Sequence, residues 1–251
     1  MILEDIISRT EKRVAKLTDT FMDPPPFSRA SLVHAIHAAR DRNAVIAEIK
    51  CASPSCGLIR RNVDIGMMAG VLADGGCVAL SVLTEPYFFG GSTRDIARAK
   101  EVVSLPVLRK DFIIDERQIA ETRALGADAV LLIAAVLKDR LALFVDTAYE
   151  AGIEPLVEIH TKEEAESALA TRARLIGINN RSLSTFSIDR ATTRSLSGRI
   201  RPAGRMIVSE SGMQSAADLR ELRPFCDAFL IGSSIMSHVE PRKKLEEFVC
   251  A

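Results

Sequence analysis

The sequence carries no surplus of charge of either sign: 33 lysine and arginine residues face 33 aspartate and glutamate residues. A nucleic-acid-binding chain needs a basic excess gathered on one face, so that class has no support. Long apolar runs are also missing. No stretch approaches the roughly 20 residues that cross a bilayer. The opening Met1-Ile2-Leu3-Glu4-Asp5 puts acids where a signal peptide has basic residues before an apolar segment. The expectation is a soluble, cytoplasmic protein with no membrane or nucleic-acid partner. Cysteine is sparse and odd in number, at positions 51, 56, 77, 226 and 250. These spacings match no zinc pattern, and no histidine stands beside Cys51 and Cys56, the nearest pair. Cys77 and Cys226 read as small core residues. No Gly-x-Gly-x-x-Gly follows the first apolar run, which argues against a dinucleotide fold. Lysine is scarce as well: nine of the 33 basic residues, the rest being arginine. Arginine stays protonated, whereas lysine can move protons once its surroundings lower its pKa. The positions of the few lysines therefore matter.

What is present is ordinary globular material, 47% hydrophobic and 26% charged. Short continuous apolar runs stand at 45–49, 78–83, 107–108, 129–133, 155–159, 175–178, 206–208 and 228–231. Continuous rather than alternating runs are the mark of strands covered on both faces. Helix-like segments lie between them, at 64–73, 93–103, 116–125, 138–150, 162–170, 189–196 and 215–222, with a last one at 241–249. Thr161-x-x-Glu164 has capping-box spacing. Residues 2–17 read as an amphipathic helix, Pro24-Pro25-Pro26 breaks the chain, and a short helix covers 31–40. Eight strand–helix units predict a parallel sheet, and 251 residues is close to the about 250 of a closed (β/α)8 TIM barrel. The expected architecture is one barrel domain over residues 1–251, with a helical N-terminal extension at 1–40.

Sites in such barrels are built where strands run into the following loops. The first run ends Glu48-Ile49-Lys50; residues two apart share a face, so the two charged side chains should pair in the mouth. The third ends Arg109-Lys110-Asp111, the fifth carries Glu158, the sixth Asn179-Asn180-Arg181, and the seventh Glu210-Ser211-Gly212. Two lysines and three glutamates thus converge on one rim, and groups packed in this way have shifted pKa values. The other end differs. Ser211-Gly212 and Gly232-Ser233 offer free backbone N–H groups, and a short turn at 233–236 follows, the usual phosphate position on this fold.

Taken together, AEIK..SPS (47–55), SVLTE (81–85), FFGGS (88–92), LRKDFI (108–113), LVEIH (156–160), INNR (178–181), SESG (209–212) and FLIGSSIM (229–236) resemble the indole-3-glycerol phosphate synthase family over essentially the whole chain. The resemblance implies a small phosphorylated substrate, 1-(2-carboxyphenylamino)-1-deoxyribulose 5-phosphate. It implies ring closure, decarboxylation and dehydration, with no cofactor and no metal. It implies Lys110 as the general acid, and Glu158 and Glu48 as acid and base of the dehydration in an order left open. Lys50 would hold the substrate carboxylate, and Asn179 would orient the sugar and ring. Arg181, Glu210 and Ser211 would support the substrate. Ser53, Gly212, Gly232 and Ser233 would take the phosphate. Phe88, Phe89, Phe112 and Leu131 would pack on the aromatic ring. A monomer or weak homo-oligomer is expected.

The departures are Cys51 and Cys56, where the family usually has lysines, and Glu85, where it commonly has aspartate. They bear on the loop after the first strand and on substrate capture rather than on the reaction. A phosphoribosylanthranilate isomerase would need a Cys–Asp pair where this chain has Glu48 and Lys50. A catalytically silent scaffold fits poorly with intact Lys110 and Glu158. One barrel takes up the whole length, so no bifunctional fusion is expected.

Overall fold

In a computed structural model the chain is described at every residue except 1, 19, 22–24, 26, 28, 40 and 184. Eight parallel strands close on themselves: β1 (Val45–Ile49), β4 (Ala79–Leu83), β5 (Val107–Lys110), β6 (Ala129–Ile133), β7 (Glu154–Ile159), β8 (Leu175–Asn179), β9 (Met206–Glu210) and β10 (Ala228–Ile231). Around the ring the order is β1, β10, β9, β8, β7, β6, β5, β4 and back to β1. Every residue of β1, β4, β6 and β8 is buried. One face meets the helices and the other fills the barrel, so neither can be polar along its length.

The apolar interior forms two bodies. The larger lies between strands and helices, with Leu72, Ile119, Phe144 and Phe248 among its side chains. The smaller fills the barrel with Ile46, Leu108, Leu131, Leu156, Leu175 and Leu230. The two N-terminal helices join this smaller body from opposite ends. Helix α2 (Leu32–Ala38) sits at the base: Ser31 Oγ and the Val33 N–H donate to Glu154, and the Ala30 N–H donates to Asp128. Helix α1 (Ile2–Val14) sits at the mouth, where Arg13 reaches Asp111 just past β5.

Several boundaries differ from expectation. Helix α1 stops at Val14 rather than 17, because the next turn tightens: the Lys16 N–H bonds Arg13 O and the Leu17 N–H bonds Val14 O. A two-residue hairpin, β2 (Ala52–Ser53) with β3 (Gly57–Leu58), stands in the loop after β1 and is too short to show as a pattern. The expected 138–150 helix is a short helix at 134–137, a 3-10 turn at 138–140 and a helix at 141–150. The 189–196 helix runs instead from 191 to 200. Thr161 accepts from the Glu164 N–H, but Glu164 takes the His160 N–H rather than that of Thr161. Pro24, Pro26 and Arg40, which figured in the expected break and second helix, lie outside the described residues.

Candidate active site

Three strands reach further than their apolar runs. β5 ends on Lys110, β8 on Asn179 and β9 on Glu210. These polar side chains therefore hang from paired, rigid backbone rather than from loops. They face a cavity of about 690 Å³ at the mouth, lined also by Glu48, Lys50, Glu158, Ser53, Arg181, Ser211, Gly212, Gly232 and Ser233.

On the cavity floor Lys110 Nζ donates to Glu158 Oε2 at 2.9 Å and to Glu210 Oε2 at 2.6 Å. Lys50 Nζ pairs with Glu48 Oε1 at 2.8 Å. Glu158 Oε1 accepts from Asn179 Nδ2 at 3.1 Å, and Asn179 Oδ1 in turn accepts from the Arg181 N–H and the Ser211 hydroxyl. Asn179 is thereby fixed as a donor towards Glu158.

The electrostatics follow from three buried carboxylates around two ammonium groups. Burial raises the Glu210 pKa to about 8, Glu158 and Glu48 add to it, and Lys110 only partly offsets them. For Lys110, burial opposes the charge, but Glu158, Glu210 and Glu48 outweigh it and the pKa rises. Burial also opposes the Glu48 charge; Lys50 and then Lys110 overcome this and hold the carboxyl below its usual range. Lys110 is therefore an ammonium, Glu48 an anion, and Glu210 the group that carries the extra proton at neutral pH.

Two glycines make room for these acids. A β-carbon at Gly177 would stand 2.2 Å from Glu210 Oε1, and one at Gly232 would stand 2.5 Å from Glu48 Oε1. Gly232 thus serves the acid end of the cavity as well as the loop expected to meet phosphate. Ser211 and Gly212 both have left-handed backbone, at φ 66° and 91°, and this turns the chain sharply after β9. Ser53 Oγ accepts from the Cys56 N–H at 3.2 Å inside the β2–β3 hairpin.

The apolar wall is formed by Phe89 and Phe112, whose ring centroids are 6.2 Å apart, with Leu131 in the floor. Phe88 is not in this wall. The Glu85 carboxylate accepts the N–H groups of Tyr87, Phe88 and Phe89, and in the turn it holds Phe88 lies outside the cavity, partly buried under Arg9 of α1. Leu3 and Ile6 of α1 line the cavity in its place. The sequence reading missed these two, Gly177, and the group behind β5. There Arg109, fully buried, donates to Asp111, Glu121, Thr84, Thr122 and Gln118 O, and Asp111 receives Arg13. Alternation along Arg109-Lys110-Asp111 was the available signal: it puts the outer two opposite Lys110, as the paired charges 48 and 50 share a face.

In the loop after β1, Cys56 is exposed and lines the cavity, and the Ser55 hydroxyl lowers its thiol pKa. Cys51 is half-buried, and burial raises its thiol pKa. Cys77 and Cys226 are buried thiols pushed up to about 12. Among the described residues no group of three or more histidine, cysteine, aspartate or glutamate side chains is arranged to hold a metal. Among them, too, no helix is long and apolar enough to cross a membrane.

The model of the indole-3-glycerol phosphate synthase family matches residues 3–248. A protein of that name from Caldanaerobacter subterraneus subsp. tengcongensis is 42% identical over 99% of this chain and 98% of its own length. One from Methanocaldococcus jannaschii is 41% identical over 98% and 92% respectively. One from Azospirillum brasilense is 47% identical over 78% and 75%. Among solved structures, a thiamine phosphate pyrophosphorylase from Pyrococcus furiosus superposes with a TM-score of 0.60 at 16% identity, covering 81% of this chain and 92% of that one. KGPDC from Streptococcus mutans gives 0.62 at 13%, covering 82% and 95%. At such identities the last two share the barrel and nothing more.

Proposed function

The chain belongs to the indole-3-glycerol phosphate synthase family, and from that premise we propose which residues carry each step of its reaction. The reaction is that of a lyase in tryptophan biosynthesis. The carboxyl-bearing ring carbon of 1-(2-carboxyphenylamino)-1-deoxyribulose 5-phosphate attacks the ketone carbon, carbon dioxide leaves, and water is then lost.

The single observation that carries the assignment is Lys110, an ammonium held between Glu158 and Glu210 in the cavity floor. As the carbon–carbon bond forms, negative charge develops on the ketone oxygen. Lys110 protonates it; a positioned acid of this kind contributes about a hundred- to ten-thousandfold. Lys50 holds the ring carboxylate until it departs as carbon dioxide. Glu48, kept anionic, stabilises the positive charge that passes through the ring nitrogen. In the dehydration the hydroxyl leaves as water on a second proton from Lys110, and Glu158 removes a proton from the methylene carbon beside the nitrogen. Asn179 orients Glu158 and the sugar. Phe89, Phe112 and Leu131, with Leu3 and Ile6, hold the aromatic ring, and the backbone at Gly212, Gly232 and Ser233 meets the phosphate with Ser53. We place the protein in the cytoplasm, acting as a monomer or weak homo-oligomer. Supplying the substrate and following indole fluorescence tests the assignment; no signal at high protein concentration would overturn it.

A further inference from the structure

The reaction delivers two protons from one mouth. One goes to the ketone oxygen during ring closure and one to the departing hydroxyl. A single proton returns, from the methylene carbon, so each turnover draws one net proton from solvent. Lys110 can give only one before it must be recharged.

We propose that Glu210 is the proton store that recharges Lys110 between ring closure and dehydration. The proposal rests on the assignment of Lys110 above and adds a role to its neighbour. Its basis is geometric. Glu210 Oε2 lies 2.6 Å from Lys110 Nζ, the shorter of the two bonds that the ammonium makes. Glu210 is 1% exposed, and among the described residues its Oε1 has no hydrogen-bond partner. That oxygen sits in the space left by the missing β-carbon of Gly177. A carboxylate oxygen buried without a donor is costly, whereas a neutral carboxyl tolerates the place far better.

Charge counting leads to the same residue. The groups facing Glu210 are Lys110 on β5, Glu158 on β7, Glu48 on β1 and Lys50 just after it; β8 offers the uncharged Gly177 and Asn179, with Arg181 beyond its end lining the same cavity, and Gly232 follows β10. Among the described residues, three carboxyls share two ammonium groups in this buried floor, an excess of one negative charge. Like charges sharing a site cannot all ionise, so one carboxyl keeps its proton. Glu48 has its own lysine and Glu158 is bonded at both oxygens. Glu210 remains.

The step balances. Lys110 gives its proton to the ketone oxygen and becomes an amine. A half-turn of the Glu210 carboxyl, about a soft terminal torsion, brings its O–H to Nζ. The O–H bond breaks, an N–H bond forms, and the site holds an ammonium and a carboxylate again. Lys110 then protonates the leaving hydroxyl. Glu158 passes the methylene proton back through Lys110, and solvent supplies the remaining one before the next cycle. Glu210 touches no reacting atom in this scheme. It is a positioning residue that also carries a proton.

The experiment is a pH series of single-turnover rate constants for the native chain and Glu210→Gln. The native constant should fall as pH rises through about 8, where Glu210 loses its proton. Glutamine keeps the bond to Lys110 but has no proton to give. The variant should lose about ten- to a hundredfold at pH 7, with KM within threefold, and lack the alkaline limb. Glu210→Asp should restore part of that limb. Product binding by the variant, followed by fluorescence titration, shows that it is folded. A variant that keeps the limb, or that changes KM alone, overturns the proposal while the functional reading stands. A native chain that makes no indole product overturns both.

Discussion

Gly177 and Glu210 face each other across neighbouring strands, and the glycine exists to make room for the acid: a β-carbon at 177 would meet Oε1 at 2.2 Å. Gly177→Ala should push the carboxyl away from Lys110, because the backbone of β8 is paired on both sides and cannot yield. Overpacking of this kind costs about 1–3 kcal/mol of stability. The rate constant should fall at least tenfold, well beyond what partial unfolding removes. Denaturant titration and kinetics on one preparation separate the two effects. Native turnover in the alanine variant would show that the position of Glu210 is not critical.

The raised pKa of Glu210 has a consequence for stability. An acid whose folded pKa lies above its unfolded value binds its proton more tightly in the native state. The stability this contributes is complete below the ordinary glutamate range, near 4.5, and is lost as pH rises towards about 8. Glu210→Gln has no proton to lose, so its stability relative to the native chain should improve steadily over that interval. Urea midpoints at pH 5 and pH 8.5 check it. A difference between the two proteins that does not change with pH would contradict the neutral carboxyl.

Lys110→Met should remove most of the turnover and leave substrate affinity within severalfold, the pattern of a group needed mainly in the transition state. Methionine keeps much of the stem but leaves Glu158 and Glu210 without their cation. The variant should therefore also show a raised carboxyl pKa, visible as weaker folding at high pH than at low pH. Near-normal turnover would mean that another group is the acid.

Arg13 ties α1 to the strand end that carries Lys110, the proposed acid: its guanidinium meets Asp111 Oδ1 at 2.7 Å, and the same carboxylate takes Arg109 and the Thr84 hydroxyl. Removing one partner of a buried ion pair costs about 3–5 kcal/mol, less where, as here, a second cation remains. Arg13→Met should loosen α1 and with it the wall made by Leu3 and Ile6. The expected result is a raised KM, a nearly unchanged kcat and faster proteolysis within residues 2–14. Unaltered protection of α1 would refute the tether.

How far the sequence alone reaches is visible in particular residues. Eight apolar runs mark eight strands because burial on both faces forbids polar interruption. Yet three of those runs stop short of their strands, at Leu108, Ile178 and Val208, where Lys110, Asn179 and Glu210 continue the pairing. The residues proposed for the site thus end the very signal that locates the strands. Alternation was enough to pair Glu48 with Lys50. It could not show that Lys110 is shared by two carboxylates from β7 and β9, since that depends on how closure of the barrel brings non-neighbouring strands together. Phe88 and Phe89 are alike in sequence. Only the turn built on Glu85 decides that Phe89 lines the cavity while Phe88 lies under Arg9.

The loop after β1 is where this chain departs most from its family resemblance, and Cys56 is the position at which the departure can be measured. Its side chain lines the cavity on the same hairpin as Ser53, the residue proposed to meet phosphate. A lysine there would add a partly solvated cation near a dianion, worth on the order of 1 kcal/mol at low salt. Cys56→Lys should therefore lower KM about fivefold at low ionic strength, with kcat unchanged or reduced if product release becomes limiting. The gain should shrink as salt is raised to about 1 M, where the screening length falls to about 3 Å. Steady-state kinetics of both proteins across a salt series read this directly. Equal KM values at low salt would show that the hairpin does not contribute to capture of the phosphate. A gain that salt does not diminish would point to altered hairpin conformation rather than charge.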